Sequence, residues 1–509
     1  MVGALLLDLD RGFPRITQDS LNDPCKWSYS LAASASWYPQ SQDACTLKKI
    51  APRRRVYSVI EAQVRIRIST VFIFLQTLMM LLNTLALSLA TLAHIVYAGP
   101  PLHRVEEPDY IIVGGGIAGF VLANRLTENP NIQVHLLEAG PDPAGDPDVS
   151  TPAFAGLLDT TKYTYNLTTT PQASLNGTTV HTVQGHGLGG GSSVNYMQYC
   201  RGAASVYDEW ASITDDDGWA WDNLLPYFER STSLVPPTES FHPVANTSMY
   251  GQGPLSLTFG KDVDVLAPEF IKVMEQSGLP QHDLNDGNGI YTSYVTQYVL
   301  SSNATRESSL TTYGYPALLR PNLQLTKNAW VTKINFLGTR AISVTYTDTI
   351  DNSTHTLFPK VDGEIIISGG AINSPKLLML SGIGPREHLE SLNIPVIADL
   401  PVGSTMQNHY GTAMTLNVSS EQWSATQLTN QTYLDIALAN YTQNASGQLA
   451  QAVTSVTAAG RAPNNLSEWH ASLPADRAHW LYVPVEKSLP LPARIAPLIF
   501  HPFEHITPN

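Results

Sequence analysis

Residues 1–68 show no apolar periodicity of either helix or strand. The first organised stretch is residues 71–98, an apolar run interrupted by Gln76, Asn83, Thr84 and His94 and preceded by Arg53, Arg54, Arg55, Arg65 and Arg67. About 20 apolar residues cross a bilayer, so the run suits a signal anchor. It also suits a secretory signal peptide: Met79 and Met80 open an apolar segment, and Val96, Tyr97 and Ala98 offer compact residues ahead of Gly99. A buried core helix is the third possibility. The signal peptide fits best, because nothing before Met79 contributes to a recognisable fold.

From Asp109 the pattern changes to DYIIVGGGIAGFVLANRL. An apolar strand, Tyr110–Val113, runs into Gly114, Gly116 and Gly119, and a helical spacing of Phe120, Leu122, Ala123 and Leu126 follows. In such a strand-turn-helix unit Gly114 permits the tight turn, Gly116 admits a pyrophosphate close to the backbone, and Gly119 lets helix and strand approach. The helix N-terminus then presents unpaired N–H groups to the phosphates. After Pro130 a second strand over residues 133–137 ends in Glu138, Ala139 and Gly140. A carboxylate there accepts hydrogen bonds from adenosine ribose hydroxyls and repels a 2′-phosphate. Strand, spacing and acid together predict dinucleotide binding.

Charge narrows the partners. The chain of 509 residues carries a net charge of -14, which excludes a nucleic-acid partner, since phosphate neutralisation needs a basic surface. Its length allows two or three domains or one large cofactor-binding unit. Of 3 cysteines, Cys25 and Cys45 lie near the N-terminus and Cys200 stands alone, so neither a disulfide framework nor a thiolate metal site is expected. Sequons occur at Asn166, Asn176, Asn246, Asn303, Asn352, Asn417, Asn430, Asn440, Asn444 and Asn465. They fit a glycosylated, secreted protein or an Asn/Thr-rich surface.

The segment GHGLGGGSSVNYMQYCRGAASVYDEW, residues 185–210, sets five glycines close together, including Gly189 and Gly190. Such density destabilises regular structure by about 1 kcal/mol per glycine, and a close ligand is the natural compensation. Here the chain resembles the glucose-methanol-choline family of FAD-dependent oxidoreductases, whose first signature has this glycine cluster, serine pair, Asn and Arg-Gly. Residues 364–385, EIIISGGAINSPKLLMLSGIGP, resemble the second signature: a buried strand, Gly369 and Gly370, then a helix opening at Asn373, Ser374 and Pro375. Arg306, Ser308 and Ser309 resemble a short basic-serine element. Residues 400–411 are similar to the next family stretch, with Asn408 where relatives carry Asp.

The resemblance implies an α/β fold with a doubly wound, Rossmann-like FAD-binding domain and a discontinuous α+β substrate domain that is incomplete at the C-terminus. The FAD-binding domain is expected over residues 108–260 and 328–410, and a partial substrate domain over 261–327 and 411–486. Residues 1–98 form an N-terminal extension and 487–509 an irregular tail. Carried over, Asn195 and the backbone of Tyr196, Met197 and Gln198 contact the flavin. Ile117, Ala118, Glu138 and Ala139 hold the pyrophosphate and ribose, and Val331 meets the adenine. Val194 stands where some relatives attach FAD through a His, so FAD is expected to bind without a covalent link.

The implied reaction is oxidation of a small-molecule alcohol to a carbonyl, with O2 or another acceptor taking the electrons and a C-terminal His as base. The later catalytic and FAD-closing motifs are missing here. His501-Pro502 resembles the family's His-Pro element without its Gly-Thr, which leaves His501 the only catalytic candidate. His186, beside the glycine cluster, reads as structural. A truncated, inactive relative and a flavin-dependent hydroxynitrile lyase are the alternatives. A secreted or secretory-pathway location follows, with membrane attachment only if residues 71–98 stay uncleaved.

Overall fold

The computed structural model describes residues 107–236, 243–260, 266–300, 302–406, 430–450, 452, 454–463, 465–484 and 499–500. The apolar segment 71–98, Asn408 and His501 lie outside the described residues.

β1 (Tyr110–Val113), α1 (Ile117–Leu126) and β2 (Val134–Leu137) follow one another as the glycine pattern requires. β1 pairs in parallel with β2 on one side and with Glu364–Ile367 on the other, and Leu323–Thr326 extends the sheet beyond β2. Successive strand residues point to opposite faces, so Ile112 and Ile111 enter different cores. Ile112 packs with Phe120 and Ala123 of α1 and with Leu136, Leu188, Leu310 and Leu323. On the other face Ile111, Val113 and Leu137 meet Ala329, Ile334, Val344 and Leu377. These come from an antiparallel meander, Ala329–Leu337, Arg340–Asp348 and Thr354–Leu357, and from the helix Gly370–Leu380. Burying one such Ile, Leu or Phe side chain contributes about 1.5–3 kcal/mol, which makes the doubly covered sheet the rigid base of the molecule.

Three features depart from the expectations. Leu323–Thr326 falls in the segment expected for the substrate domain but pairs in parallel with β2 as part of the first sheet. Glu364–Ile367, expected to be buried, is half-buried, because it is the edge of the sheet among the described residues. Pro375 sits inside the helix rather than in its first turn, since the helix starts at Gly370. Its missing N–H leaves the Ala371 carbonyl without an i→i−4 partner.

A second sheet lies apart from the first in topology. Its strands run Ile499–Phe500, Trp480–Tyr482, Val456–Gly460, Tyr291–Tyr294, all antiparallel. The helix Leu266–Gln276 packs on it through Ala267 and Ile271 against Val456. A separate buried cluster joins Met197 with Tyr250, Leu257 and Tyr298. The hairpin β3 (Thr164–Thr168) and β4 (His181–Gly185) carries Tyr165 and Gln184 toward the C-terminal ends of the parallel strands.

Candidate cofactor site

A cleft of about 750 Å³ opens where β1 turns into α1. Sites of roughly 300–1,000 Å³ hold small ligands and cofactors, and parallel sheets offer them at their C-terminal strand ends. The first wall is the turn itself. Gly114 adopts φ +107°, and a Cβ there would stand 2.5 Å from the Ser368 carbonyl oxygen. A Cβ at Gly119 would collide with the Gly114 carbonyl, so this glycine sets the helix-strand distance. Gly116 is different: the nearest protein atom to an added Cβ, the Gly190 Cα, is 3.8 Å away. Protein packing therefore does not demand glycine at Gly116, whereas a ligand lying against the turn does. No side chain caps α1, and its first turn holds no acid. The positive end of its dipole is left for an anion.

Glu138 does more than the sequence suggested. Its carboxylate accepts N–H bonds from Gly115 at 2.7 Å and Gly140 at 2.8 Å, tying the glycine turn to the end of β2. An ionised carboxylate has about four acceptor sites, so two remain for ribose hydroxyls. The Glu138 carbonyl accepts from Ala329 N at 2.8 Å, which places the start of the meander beside the same acid.

The second glycine cluster forms the opposite wall. Gly189 donates its N–H to the Gly115 carbonyl at 2.8 Å, and its own carbonyl accepts the Ser192 hydroxyl at 2.6 Å. Gly190, at φ +52°, approaches Gly116 so closely that a Cβ would stand 2.8 Å from the Gly116 Cα. Glycine density here thus serves backbone-to-backbone packing as well as ligand access. Arg306, almost fully buried, clamps the loop by donating to the carbonyls of Val149, Ser192 and Asn195 at 2.9, 3.2 and 2.7 Å. Burial pushes its guanidinium down to about 10, and its Nη2 has no hydrogen-bond partner among the described residues. Ser309 N donates to Ser192 Oγ at 2.9 Å, which gives the basic-serine element its structural sense.

Of the residues singled out in the sequence, Gly114, Gly116, Ile117, Ala118, Glu138, Ala139, Gly190, Asn195, Tyr196 and Val331 line the cleft. Gly119 and Gly189 stand behind it as spacers. Met197 is fully buried at φ +59°, its N–H on Asn195 Oδ1 at 3.2 Å and its carbonyl accepting from Tyr298. Gln198 pairs with Gln297 as an isolated bridge. Val194 lines the cleft and packs with Val149, Leu158 and Tyr163. His186 holds the Lys162 carbonyl at 3.0 Å and lies with its ring tilted against Tyr165, outside the lining.

The sequence reading missed Asp159, Tyr165, Gln184, Trp330 and Lys376, which also line the cleft. Trp330 neighbours Val331, and Lys376 follows Asn373, Ser374 and Pro375 of the second signature, so both could have been found from the sequence; Asp159, Tyr165 and Gln184 reach the cleft only through the fold. Burial pushes the Asp159 carboxyl up and the Tyr196 hydroxyl up to about 12, with Asp159 adding to the second effect. Among the described residues no His, Cys, Asp and Glu group could hold a metal ion. No described helix is long and apolar enough to cross a membrane.

The GMC oxidoreductase family model matches residues 108–411, which contain both glycine walls. The chain belongs to the GMC oxidoreductase family. FAD is the cofactor of that family, and an uncapped helix end, a ribose-side carboxylate and a glycine whose need is not met by protein packing fit it. A glucose-methanol-choline family oxidoreductase of Annulohypoxylon moriforme is 36% identical over 315 residues, covering 59% of this chain and 51% of that protein. An oxygen-dependent choline dehydrogenase of Pseudomonas putida is 38% identical over 313 residues, covering 60% and 53%. The chain therefore spans about half the length of the curated relatives it matches. An FAD-dependent oxidoreductase from Chaetomium thermophilum superposes with a TM-score of 0.67 at 26% identity over 77% of this chain and 74% of that one. A formate oxidase with a TM-score of 0.67 at 24% identity, over 77% and 71%, shares the fold.

Proposed function

We propose that this GMC chain binds FAD without a covalent link and serves the oxidation of an alcohol to a carbonyl. The observation that carries the reading is the cleft in which the uncapped end of α1, Glu138, and the loop from Gly190 to Tyr196 face one space. Bound FAD would supply the hydride acceptor. The chain's own part is to hold it: α1 N–H groups toward the pyrophosphate, Glu138 toward the ribose, Asn195 and Tyr196 along the ring, with Arg306 fixing their loop. Val194 in the wall offers no nucleophile for a covalent bond to the ring.

The base is expected beyond the described residues, with His501 as the candidate. O2 or another small acceptor would reoxidise the cofactor. The second reading is an inactive FAD-binding relative. The division into an FAD-binding part and a partial substrate part is likewise proposed, with the boundary moved ahead of Leu323. A secretory route is supported by the exposure of Asn166, Asn176, Asn246, Asn303, Asn352, Asn430, Asn444 and Asn465, sequons that all lie on the surface.

The test is the visible spectrum of the full chain purified from a secretory host, followed by addition of a primary aromatic alcohol without oxygen. Oxidised-flavin absorbance that bleaches supports the oxidase or dehydrogenase reading. Absorbance that does not bleach favours the inactive relative, and a colourless protein that FAD cannot reconstitute overturns both.

A further inference from the structure

Trp330 lines the cofactor cleft. It sits between Ala329, whose N–H bonds the Glu138 carbonyl, and Val331, so it flanks the ribose-side acid. Tyr165 meets the ring edge-on at 5.7 Å between centroids. Lys376, from the helix Gly370–Leu380, places its ammonium 5.3 Å from the ring centroid. Lys376 also lines the cleft, is solvent-exposed and makes no ion pair with a described carboxylate. An aromatic face held from one side and crossed by an uncommitted flexible cation is suited to a flat heteroaromatic joined to phosphates: the ring gives a stacking surface, and the cation can leave it for the negative charge.

We propose that Trp330 and Lys376 form the adenosine-reading end of the cleft, Trp330 stacking on the purine and Lys376 folding over it toward the pyrophosphate. The pair then discriminates an adenine dinucleotide from a flavin mononucleotide. This rests on FAD binding as proposed above. Tyr165 acts as a positioning residue that keeps the indole ring upright against the cleft.

The experiment is calorimetric titration of flavin-free full chain with FAD, ADP and FMN, for the wild type and for Trp330→Ala, Trp330→Phe and Lys376→Met. Stacking of a base on an aromatic ring predicts that Trp330→Ala weakens FAD and ADP alike by about tenfold and leaves FMN within about twofold. Trp330→Phe should restore most of the loss. Removing the cation should cost FAD and ADP about threefold, with a shallower salt dependence. Retained FMN binding shows that each variant is folded. Unchanged FAD and ADP affinity in Trp330→Ala, or an equal loss for all three ligands, overturns the inference while leaving FAD binding intact. A wild type that binds none of the three ligands removes the FAD reading itself, and this inference with it.

Discussion

The two sheets of this molecule differ in what fixes their residues. Half of the parallel sheet is written locally, since β1, the glycine turn, α1 and β2 occupy one continuous stretch in which Gly114 and Gly119 answer contacts that can be named, while Leu323–Thr326 and Glu364–Ile367 join from far along the chain. The antiparallel sheet joins Tyr291–Tyr294 to Val456–Gly460, far away in the chain, and then to the nearer Trp480–Tyr482, with no turn motif to mark either pairing. Where a backbone must meet a ligand or another backbone, the residue type is constrained at a fixed position. Where a strand only has to fill a face, many residues serve, and position in sequence says little about partner.

This difference can be broken first at Gly119. Gly119→Val forces a branched side chain into the Gly114 carbonyl, and overpacking of this kind should cost about 3 kcal/mol, read as a fall in the urea midpoint together with loss of flavin. An equally large substitution at exposed Ile213 should leave both unchanged, which makes the effect specific to the turn.

The second lever is pH, which should act with opposite sign on two buried groups, one in the parallel sheet and one beside Arg306. His135, buried in β2 with Nε2 2.7 Å from Thr326 Oγ1, is held neutral by burial, its pKa lowered to about 4. The unfolded chain takes up that proton near 6.5, so stability is present above 6.5 and is lost as pH falls toward 4, by about 3 kcal/mol at most. Glu307, buried next to Arg306 and accepting Ser256 N at 2.6 Å, has its carboxyl raised by burial to about 7. Its protonated form is favoured in the fold, so its contribution is present below 4.5 and is lost as pH rises to about 7. After allowance for solvent screening the swing is about 2 kcal/mol. Chemical denaturation of Glu307→Gln from pH 4 to pH 8 should show the alkaline decline reduced and the acid decline kept. A variant with both limbs unchanged would remove Glu307 from the account.

The smallest effect on stability is expected at Gly116, and it sharpens the comparison most. Gly116→Ala meets no protein atom closer than 3.8 Å and should change stability by less than about 0.5 kcal/mol. FAD affinity should nevertheless fall at least about tenfold, since a methyl group enters the space left for the pyrophosphate. Stability and binding are thus separable at Gly116 and inseparable at Gly119.

Much of the site was legible for the same reason. The glycines stood out because backbone geometry restricts which residues can occupy them, Glu138 because a carboxylate ends the second strand at the spacing a ribose-binding acid has, and Asn195 because the chain resembles the family there. Glu138 was read for only one of its two tasks, since the N–H groups of Gly115 and Gly140 that also hold it carry no side-chain signal. Leu323–Thr326 was missed as a member of the nucleotide sheet because four residues without periodicity resemble any loop. Asn322, whose side chain holds the carbonyls of Thr127, Asn129 and Ile132, was the available clue. The exposure of Glu364–Ile367 could not be read from an apolar run that suits a central strand and an edge strand equally well. Trp330 and Lys376 meet across two elements that only the folded sheet brings together.

The central claim is that one cleft, between Glu138 and Asn195, holds FAD. A crystal structure of the full chain grown with FAD tests it most directly. The account predicts the adenosine ribose within hydrogen-bond distance of Glu138 and the ring alongside Asn195 and Tyr196. FAD bound elsewhere, or a cleft occupied in the reverse direction, would contradict it.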